Sequence, residues 1–406
     1  MAETYTVLRD MSLSGTEEPF RGRIEALGID VAPAAPRIDR VELSKREVRD
    51  LSRAPEVQAV APVMPTVLVR PVADADADVE AAEDAAPGGV AWGVTAVGAD
   101  TSTRTGADVS VAILDTGIDA AHPAFAGVTL VEEDFSGSGN GDRQGHGTHC
   151  AGTVFGRDVD GTRIGVARGV SRAVIGKVLG DDGSGDSDML FRGMQWAVQQ
   201  GAQVISMSLG FDFPGLVKHL VDGNWPVDLA TSRALEAYRA NLRMFDALMS
   251  MIAAQVQFTN GVVVVAASGN ESKRKVNPEH EIGVSLPAAA EGVLSTGALG
   301  RSTAGLVVAP FSNTFPQLAG PGVAVLSAQA GGGLVSFNGT SMATPHAAGV
   351  TALWWEDVRN SALPPTAPTV IARMLANADI AALASDVDVA DRGVGLVRAP
   401  QPQVTG

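Results

Sequence analysis

Four largely apolar runs constrain the fold of this chain more than any other sequence feature. They are Val109 to Leu114, Val174 to Leu179, Val204 to Met207 and Val262 to Ala267. Runs that are apolar on both faces are typical of parallel strands covered by helices on each side. Segments with helical spacing alternate with them, at His146 to Val154, Asp188 to Gln200, Leu229 to Gln257 and Ser341 to Val358. The alternation predicts an α/β fold with a doubly wound, mostly parallel sheet, whose ligands bind at the carboxyl ends of the strands.

The first 72 residues predict a small α+β domain ahead of that sheet. Its β-rich segments are Thr4 to Leu8, Arg40 to Leu43, Val57 to Val60 and Val67 to Val69, and its helical patterns are Glu18 to Leu27 and Lys45 to Ser52. Ser44 stands where the second helix needs an N-cap, because its hydroxyl can accept a hydrogen bond from a first-turn N–H. Strands alternating with helices in so short a stretch are typical of a split β-α-β unit.

An acidic segment, residues 73 to 90, separates this domain from the main body, residues 91 to 406. It holds six acidic residues, no basic residue and a Pro-Gly-Gly sequence near its end. That composition is typical of a solvated linker. The alternating aspartates from Asp74 to Asp78 also fit the start of a calcium loop, but an EF-hand would need glycine at Val79 and glutamate at Ala85. We therefore interpret the segment as a linker.

Composition excludes several kinds of partner. The 406 residues carry a formal net charge of −16, and so acidic a chain repels the phosphate backbone of nucleic acids. No apolar run approaches the roughly 18 residues that a membrane helix needs. The single cysteine, Cys150, cannot form an intramolecular disulfide. The N-terminus has no signal-peptide pattern, so the chain as written is expected in the cytoplasm, and would be secreted only if a leader had been removed.

Three short motifs carry the side chains of a nucleophilic site. Asp115 ends an apolar strand in Ala-Ile-Leu-Asp-Thr-Gly, His146 begins a helix in Gly-His-Gly-Thr-His, and Ser341 begins another in Asn-Gly-Thr-Ser-Met-Ala-Thr-Pro-His. Serine is a weak nucleophile until a base takes its proton, and the base needs an acid to orient it. The order Asp, His, Ser is one of the known orders of the catalytic triad. Pro345 is expected in the first turn of the last helix, where its missing N–H does no harm.

These motifs resemble the signature motifs of the subtilase family, the subtilisin-like serine proteases. Other segments resemble the family's substrate-flanking, oxyanion and closing segments in the same order, namely 183–185, 206–210, 266–270, 311–313, 320–322 and 393–397. The resemblance covers about residues 91 to 400 and implies the subtilisin-like fold. It implies a serine endopeptidase that works through an acyl-enzyme, with Ser341 as nucleophile, His146 as general base and Asp115 as its orienting carboxylate. Asn270 would donate its side-chain amide to the oxyanion.

The same resemblance implies a substrate cleft and an inhibitor. Two segments, Gly183-Ser184-Gly185 and Ser208-Leu209-Gly210, would pair with an extended peptide as strands. A third segment, Ala267-Ser268-Gly269, would also bind the substrate. Ser285 falls near the floor of the primary specificity pocket. Residues 1 to 72 resemble the family's propeptide, which implies a self-processing proenzyme with its own propeptide as an intramolecular inhibitor. The cut is expected between about residues 66 and 90.

The chain departs from the family pattern in two places. The number of residues between Ser208 and Asn270 is about twice that in compact members of the family, which predicts an insertion at about residues 211 to 249. His122-Pro123 is followed by Ala124 and Phe125, where the family often has an acid for structural calcium. The sequence therefore gives no support for calcium at the usual site, leaves a calcium ion elsewhere open, and predicts no required cofactor.

The remaining reactive side chains have structural interpretations. A metal pair at His146 and His149 would lack a third ligand and the usual intervening glutamate, so His149 is expected to be structural. His122 and His346 are expected to be structural as well, and Cys150 is expected to be a buried, inert thiol.

We therefore expect a serine endopeptidase with an extended peptide or protein as substrate, its own propeptide as inhibitor, and neither nucleic acid nor membrane as partner. Two alternatives stay open on the sequence alone. One is a catalytically silent subtilase-fold module that binds peptides without turnover. The other is a maturation protease dedicated to one peptide.

Overall fold

The computed structural model describes residues 2–12, 36–72 and 89–402. Its first part is a three-stranded antiparallel sheet of β1 (Glu3–Arg9), β2 (Arg37–Leu43) and β3 (Val57–Pro62), with β1 in the centre. Helix α1 (Lys45–Leu51) joins β2 to β3, and the Ser44 hydroxyl caps it by accepting from the Glu47 N–H at 3.3 Å. The helix expected at Glu18 to Leu27 and most of the acidic segment lie outside the described residues.

The rest of the chain alternates strands with helices. In chain order the strands are β4 (Pro65–Leu68), β5 (Ser110–Asp115), β6 (Thr129–Asp134), β7 (Arg172–Lys177), β8 (Ser184–Asp186), β9 (Val204–Met207), β10 (Leu209–Phe211), β11 (Val263–Ala267), β12 (Val293–Ser302), β13 (Gly305–Val308), β14 (Leu318–Pro321), β15 (Val325–Ala328) and β16 (Leu334–Phe337). The helices are α2 (Trp92–Ala96), α3 (His146–Phe155), α4 (Ser187–Gln199), α5 (Phe213–Asp222), α6 (Val227–Ala254), α7 (Val256–Thr259), α8 (Thr340–Arg359), α9 (Ala367–Ala376) and α10 (Val389–Arg392).

One eight-stranded sheet organises the main body. Its order is β13–β12–β11–β9–β5–β7–β6, and β14 also pairs with β12. Every pairing is parallel except that of β12 with β13. Strand β5 is buried on both faces, because Val111 and Ile113 join the core beneath α3 and α8 while Ala112 and Leu114 join the core beneath α4 and α6. The predicted doubly wound, mostly parallel fold is confirmed, and it sets the carboxyl ends of β5, β9 and β11 side by side.

Two details differ from the sequence predictions. Pro345 lies in the second turn of α8, not the first, because the helix already begins at Thr340. The N–H that proline lacks would have bonded the Ser341 carbonyl, which instead accepts from Ser208 Oγ at 3.0 Å and from Cys150 Sγ at 3.5 Å. The segment 393–397, expected as a closing strand, makes isolated bridges at Leu396 instead.

The predicted insertion at 211–249 contains α5 and most of α6, and its status as an insertion stays a prediction. Among the described residues, no helix has the length and apolar character needed to cross a membrane.

Candidate active site

Asp115 and His146 meet at the carboxyl edge of the sheet. Asp115 is the last residue of β5, His146 is the first of α3, and both side chains are buried. His146 Nδ1 lies 2.9 Å and 3.0 Å from the two carboxylate oxygens of Asp115. The close approach of α3 to the turn after β5 requires glycine at position 147, because a Cβ there would lie 2.2 Å from the Gly117 carbonyl oxygen. The acid therefore fixes the ring with Nδ1 toward Asp115 and Nε2 away from it.

The same pair sets the proton affinity of the imidazole. Burial opposes the charged ring, but the Asp115 carboxylate outweighs burial and raises the pKa of His146 well above 6.5. His146 Nε2 is buried and has no hydrogen-bond partner within the described part of the chain. This nitrogen is therefore available to accept a proton from a nucleophile.

Asp142 positions the histidine, and sequence reasoning missed it. Its Oδ1 accepts from the Gly145 N–H at 2.7 Å and from Thr116 Oγ1 at 2.9 Å. Its Oδ2 accepts from the N–H and hydroxyl of Thr148 at 2.8 Å and 2.7 Å. One carboxylate thus ties the turn after β5 to the first turn of α3. The available signal was an acid four residues ahead of a histidine at a helix start, where carboxylates are favoured.

Ser341 and Asn270 lie together at the start of α8. Ser341 is buried in the first turn, where N–H groups have no intrahelical acceptor. A Cβ at Gly339 would come within 2.7 Å of Ser341 Oγ and 3.0 Å of Asn270 Nδ2. Glycine therefore leaves these two polar atoms as neighbours. The Ser341 hydroxyl here donates to Met342 Sδ at 3.3 Å and not to His146.

The amide of Asn270 is held in one orientation. Its Oδ1 accepts from the N–H of Thr340 at 2.9 Å and from the Thr340 hydroxyl at 2.8 Å. Its Nδ2 then donates to the Arg70 carbonyl at 3.0 Å. Because both ends of the amide are engaged, the donor is preorganised toward a peptide carbonyl oxygen.

The third predicted substrate segment, Ala267-Ser268-Gly269, lies in the loop that leads to Asn270. Ala267 ends β11, and the Ser268 carbonyl accepts from the Ser285 N–H and from Asn313 Nδ2, each at 3.1 Å. Gly269 accepts from the Asn313 N–H at 3.1 Å. Asn313 therefore braces the loop that carries Asn270, a role that its position in a family-like segment did not reveal.

Residues 65–72 occupy the cleft between the other two predicted substrate segments. Strand β4 pairs antiparallel with β8 on one side and with β10 on the other, and it does not join the first sheet as its sequence position suggested. Facing pairs are Thr66 with Gly185, Val67 with Ser184 and Gly210, and Leu68 with Leu209. At the end of the strand the Leu68 N–H donates to Gly183 O at 2.9 Å, and just past it the Val69 N–H donates to Ser208 O at 3.3 Å.

The bound segment continues through the site. After Arg70, whose carbonyl meets Asn270, come Pro71 and Val72. The Val72 N–H donates to the Asn338 carbonyl and Asn338 Nδ2 donates to the Val72 carbonyl, both at 2.8 Å. Hydrogen bonds therefore hold the bound segment both at Arg70 and at Val72.

The first sheet rests on α4 and α6. Arg40 forms an ion pair with Asp186 at 2.7 Å, and Asn241 Nδ2 donates to the Pro62 carbonyl at 3.0 Å. Leu8 is fully buried in the core that α4 and α6 share, and burying such a side chain contributes about 1.5–3 kcal/mol. The helices of the main body therefore stabilise the docked sheet that delivers β4 to the cleft.

The other histidines and the cysteine are packed into the interior. Burial lowers the pKa of His149 to about 3 and that of His346 to about 4, and His122 Nε2 lies 2.9 Å from a backbone carbonyl. Burial raises the pKa of Cys150. Asp115, His146 and Cys150 offer ligand atoms within 4.8 Å of one another, but a protonated thiol is a poor metal ligand and Nδ1 is already bonded to Asp115.

A parallel sheet with an acid–histidine pair and a buried serine at its carboxyl edge is typical of the subtilisin-like serine proteases. The model of the subtilase family matches residues 106–395. Subtilisin DY of Bacillus licheniformis is 35% identical over 253 residues, 61% of this chain and 77% of that protein. The thermostable alkaline protease of Halalkalibacterium halodurans is 30% identical over 320 residues, 77% of this chain and 70% of that protein. The major intracellular serine protease of Bacillus subtilis is 31% identical over 256 residues, 61% and 68% of the two chains. The chain belongs to the subtilase family.

Proposed function

We propose that this chain is a serine endopeptidase made as a self-processing proenzyme. One observation carries the proposal: the Asn270 amide donates to a peptide carbonyl at 3.0 Å, beside the hydroxyl of Ser341. A preorganised donor at that point is what an oxyanion requires. The bound segment runs through the cleft as far as Val72, and the chain continues beyond that residue, which suits cleavage inside a chain and not at its end.

The proposed reaction is acyl transfer. Ser341 Oγ attacks the carbonyl carbon while its proton passes to His146 Nε2, and the oxyanion is held by Asn270 Nδ2 and the Ser341 N–H. His146 then gives the proton to the departing amine as the C–N bond breaks, which leaves an ester on Ser341. Water repeats the sequence, again with His146 as base, and releases the acid. Asp115 keeps the ring oriented and stabilises its charged form.

This scheme uses no cofactor. The turn after His122 also supports the absence of calcium there, because Ala124 and Phe125 are buried apolar residues and offer no carboxylate. Oxygen ligands are what calcium requires.

A fluorophosphonate probe tests the proposal directly. We expect it to add one phosphonyl group to the full chain, and peptide mapping should find the group on Ser341. Pre-reaction should abolish cleavage of a quenched peptide library. If the wild-type chain neither reacts with the probe nor cleaves any peptide after prolonged incubation, the chain is a silent peptide-binding module.

Replacing Asn270 by alanine is expected to lower kcat by about 10²–10³-fold with little change in KM. The reason is that the amide strengthens its bond only as charge develops on the oxygen; the magnitude is that measured for the same donor in subtilisin itself. Steady-state kinetics with one peptide substrate measures the split.

Thr340→Val provides a matched control for Asn270→Ala. It removes the hydroxyl that orients Asn270 and leaves the backbone N–H bond in place. We expect a smaller loss of kcat than in Asn270→Ala. The assigned role would be contradicted if Asn270→Ala raised KM by as large a factor as it lowered kcat, or if it did not lower kcat at all.

The pH profile is expected to reflect the Asp115–His146 pair. The base works only as the neutral imidazole, and Asp115 raises the pKa of His146 above 6.5. Activity should therefore be lost as pH falls through a value above 6.5, since the ring becomes protonated there. Measuring kcat/KM against pH checks this, and a limb lying below 6.5 would show that burial dominates instead.

We propose that residues 1–72 inhibit the enzyme in cis. The segment forms a strand in the cleft and extends past the nucleophile, so it excludes peptides from the same positions. The carbonyl that meets Asn270 belongs to the Arg70–Pro71 bond. In proline the amide nitrogen bears a ring carbon in place of hydrogen, and the ring fixes φ. The nitrogen that His146 must protonate is therefore crowded, so we expect this bond to be cut slowly and the bound segment to inhibit the enzyme until it is cut.

A further inference from the structure

A buried lysine at the carboxyl edge of the sheet has no role in the acyl transfer itself. Lys177 is the last residue of β7, and its side chain is 2% exposed. Its backbone faces Asp115 in the neighbouring strand β5. The N–H groups of the next two residues, Val178 and Leu179, donate to the Asp115 carbonyl at 3.0 Å and 3.1 Å. Lys177 therefore enters the interior directly beside the proposed orienting acid.

The ammonium group of Lys177 joins two loops. Its Nζ donates to the Gly141 carbonyl at 3.0 Å and to Asp181 Oδ1 at 2.6 Å. Gly141 lies in the loop between β6 and α3, and Asp181 lies in the turn between β7 and β8. A buried ammonium is costly unless it is paired and hydrogen-bonded. Moving either loop away from Lys177 therefore carries a large penalty.

The first of these loops leads to the histidine. Gly141 immediately precedes Asp142, the carboxylate that ties the turn after β5 to the first turn of α3. The packing here is close, because a Cβ at Gly117 would lie 2.2 Å from the Gly141 carbonyl oxygen and 3.5 Å from Lys177 Cδ. Lys177 therefore fixes the Gly141 carbonyl against the turn that follows Asp115.

The second loop carries a predicted substrate segment. Asp181 lies two residues ahead of the segment 183–185, whose last two residues begin β8, the strand that pairs with β4. The hydrogen bond from Lys177 lowers the pKa of the Asp181 carboxyl, which keeps that group charged. Asp181 Oδ2 also accepts from Nη1 of Arg143, the residue after Asp142, at 3.2 Å. The substrate segment is thus tied to the loop of Asp142 through Lys177 and through Arg143.

The burial of this lysine argues for a role in positioning. The penalty for removing an ion pair from water is often not repaid, and apolar side chains of similar volume are often as stable in its place or more so. A methionine would fill a similar volume without that penalty. The pair Lys218–Asp222 on α5 has the same i,i+4 spacing and 2.6 Å distance, but its side chains are 75% and 61% exposed. Such a pair therefore forms without burial, so stability alone does not explain the buried one.

We propose that Lys177 is a positioning residue, which holds the loop of Asp142 in a fixed position relative to the segment 183–185. This deepens the proposed endopeptidase function and rests on it. A peptide that pairs with this segment is thereby held at a fixed distance from His146, because one ammonium group joins the two loops. A small substrate that does not reach β8 gains nothing from the connection.

Substrates of two lengths test this inference. The long peptide has four residues before the cleaved bond and can pair with 183–185, whereas the short substrate has one residue there. We expect Lys177→Met to lower kcat for the long peptide at least about tenfold with KM changed less than about threefold, because misplacement by about 1 Å can cost about 10²-fold. For the short substrate kcat should fall less than about threefold, because its position does not depend on β8.

The full chain is used throughout, and kcat is expressed per serine titrated by the fluorophosphonate. A variant that processes itself slowly is activated by a trace of wild-type enzyme, and Ser341→Ala treated in the same way supplies the blank. Lys218→Met is the matched control, because it removes an exposed lysine with the same pairing. It should behave as wild type does with both substrates.

A second variant covers misfolding of Lys177→Met. The Asp181 side chain is 30% exposed, so Asp181→Asn is expected to fold and to show the same contrast between the two substrates. The double variant should lose no more activity than Lys177→Met, because both changes act through one contact.

The outcomes separate the two proposals. Equal losses with both substrates, a raised KM with unchanged kcat, or a lowered melting temperature with unchanged kinetics overturns the positioning role and leaves the endopeptidase standing. Failure of wild type to cleave either substrate or to react with the probe rejects the endopeptidase itself.

Discussion

Ser341→Ala is expected to abolish both probe labelling and self-processing, with kcat at least about 10⁶-fold below wild type. The reason is that no other group can form the acyl-enzyme at this position; the magnitude is that found on removing the serine of subtilisin itself. Intact-mass measurement over time should show wild type shedding a fragment that ends within residues 66–90 while the variant stays whole.

Controls must show that the loss comes from the missing hydroxyl and not from misfolding of the variant. Ser336→Ala is a matched control, because Ser336 is an exposed serine of β16 and takes part in none of the contacts described for the site. We expect it to label with the probe, and thermal melting should show Ser341→Ala folded. Continued shedding of the fragment by pure Ser341→Ala would assign the cleavage to another protease.

Pro71→Ala is expected to turn the bound inhibitor into a substrate. The Arg70 carbonyl would still accept from Asn270, but the nitrogen of residue 71, which His146 must reach, would carry a hydrogen in place of the proline ring carbon. Displacing reacting groups by about 1 Å can cost about 10²-fold in rate, so relief of the crowding should accelerate cleavage after Arg70 by about that factor. Mass spectrometry of the new N-terminus at residue 71 measures it.

Pro65→Ala is the matched control for this change. Pro65 begins the same strand but lies away from the nucleophile, so its replacement should leave the cut site and rate near those of wild type. The double variant Pro71→Ala with Ser341→Ala should remain intact. Wild type cleaving between Arg70 and Pro71 as fast as Pro71→Ala would show that proline does not protect the bond.

Local sequence patterns were enough to predict the fold and the candidate reactive side chains. Apolar runs such as Val204 to Met207 indicate buried parallel strands, because a strand covered on both faces has no solvent-exposed positions that favour polar side chains. The three motifs likewise named Asp115, His146 and Ser341, since each lies where a strand ends or a helix begins. The limits of β5 and β7 were predicted one or two residues off, because an apolar run does not show where pairing stops.

Pairing across the chain decided the rest. Val67 to Val69 looked like a strand of the first sheet, but β strands take whatever edge tertiary packing offers, and here the cleft offers two. The roles of Asp142, Asn313 and Lys177 depend on partners far along the chain or across a turn, so no local pattern reports them.

The sequence by itself therefore determined the family and the parallel sheet, and it predicted the nucleophile, base and acid, because these depend on short motifs and on hydrophobic patterning. Only the tertiary structure decided what fills the cleft, which carbonyl meets Asn270, and which loops Lys177 joins. The physical reason is that hydrogen bonds between distant segments and the packing of α6 against β3 are long-range interactions, and their geometry exists only once the chain has folded.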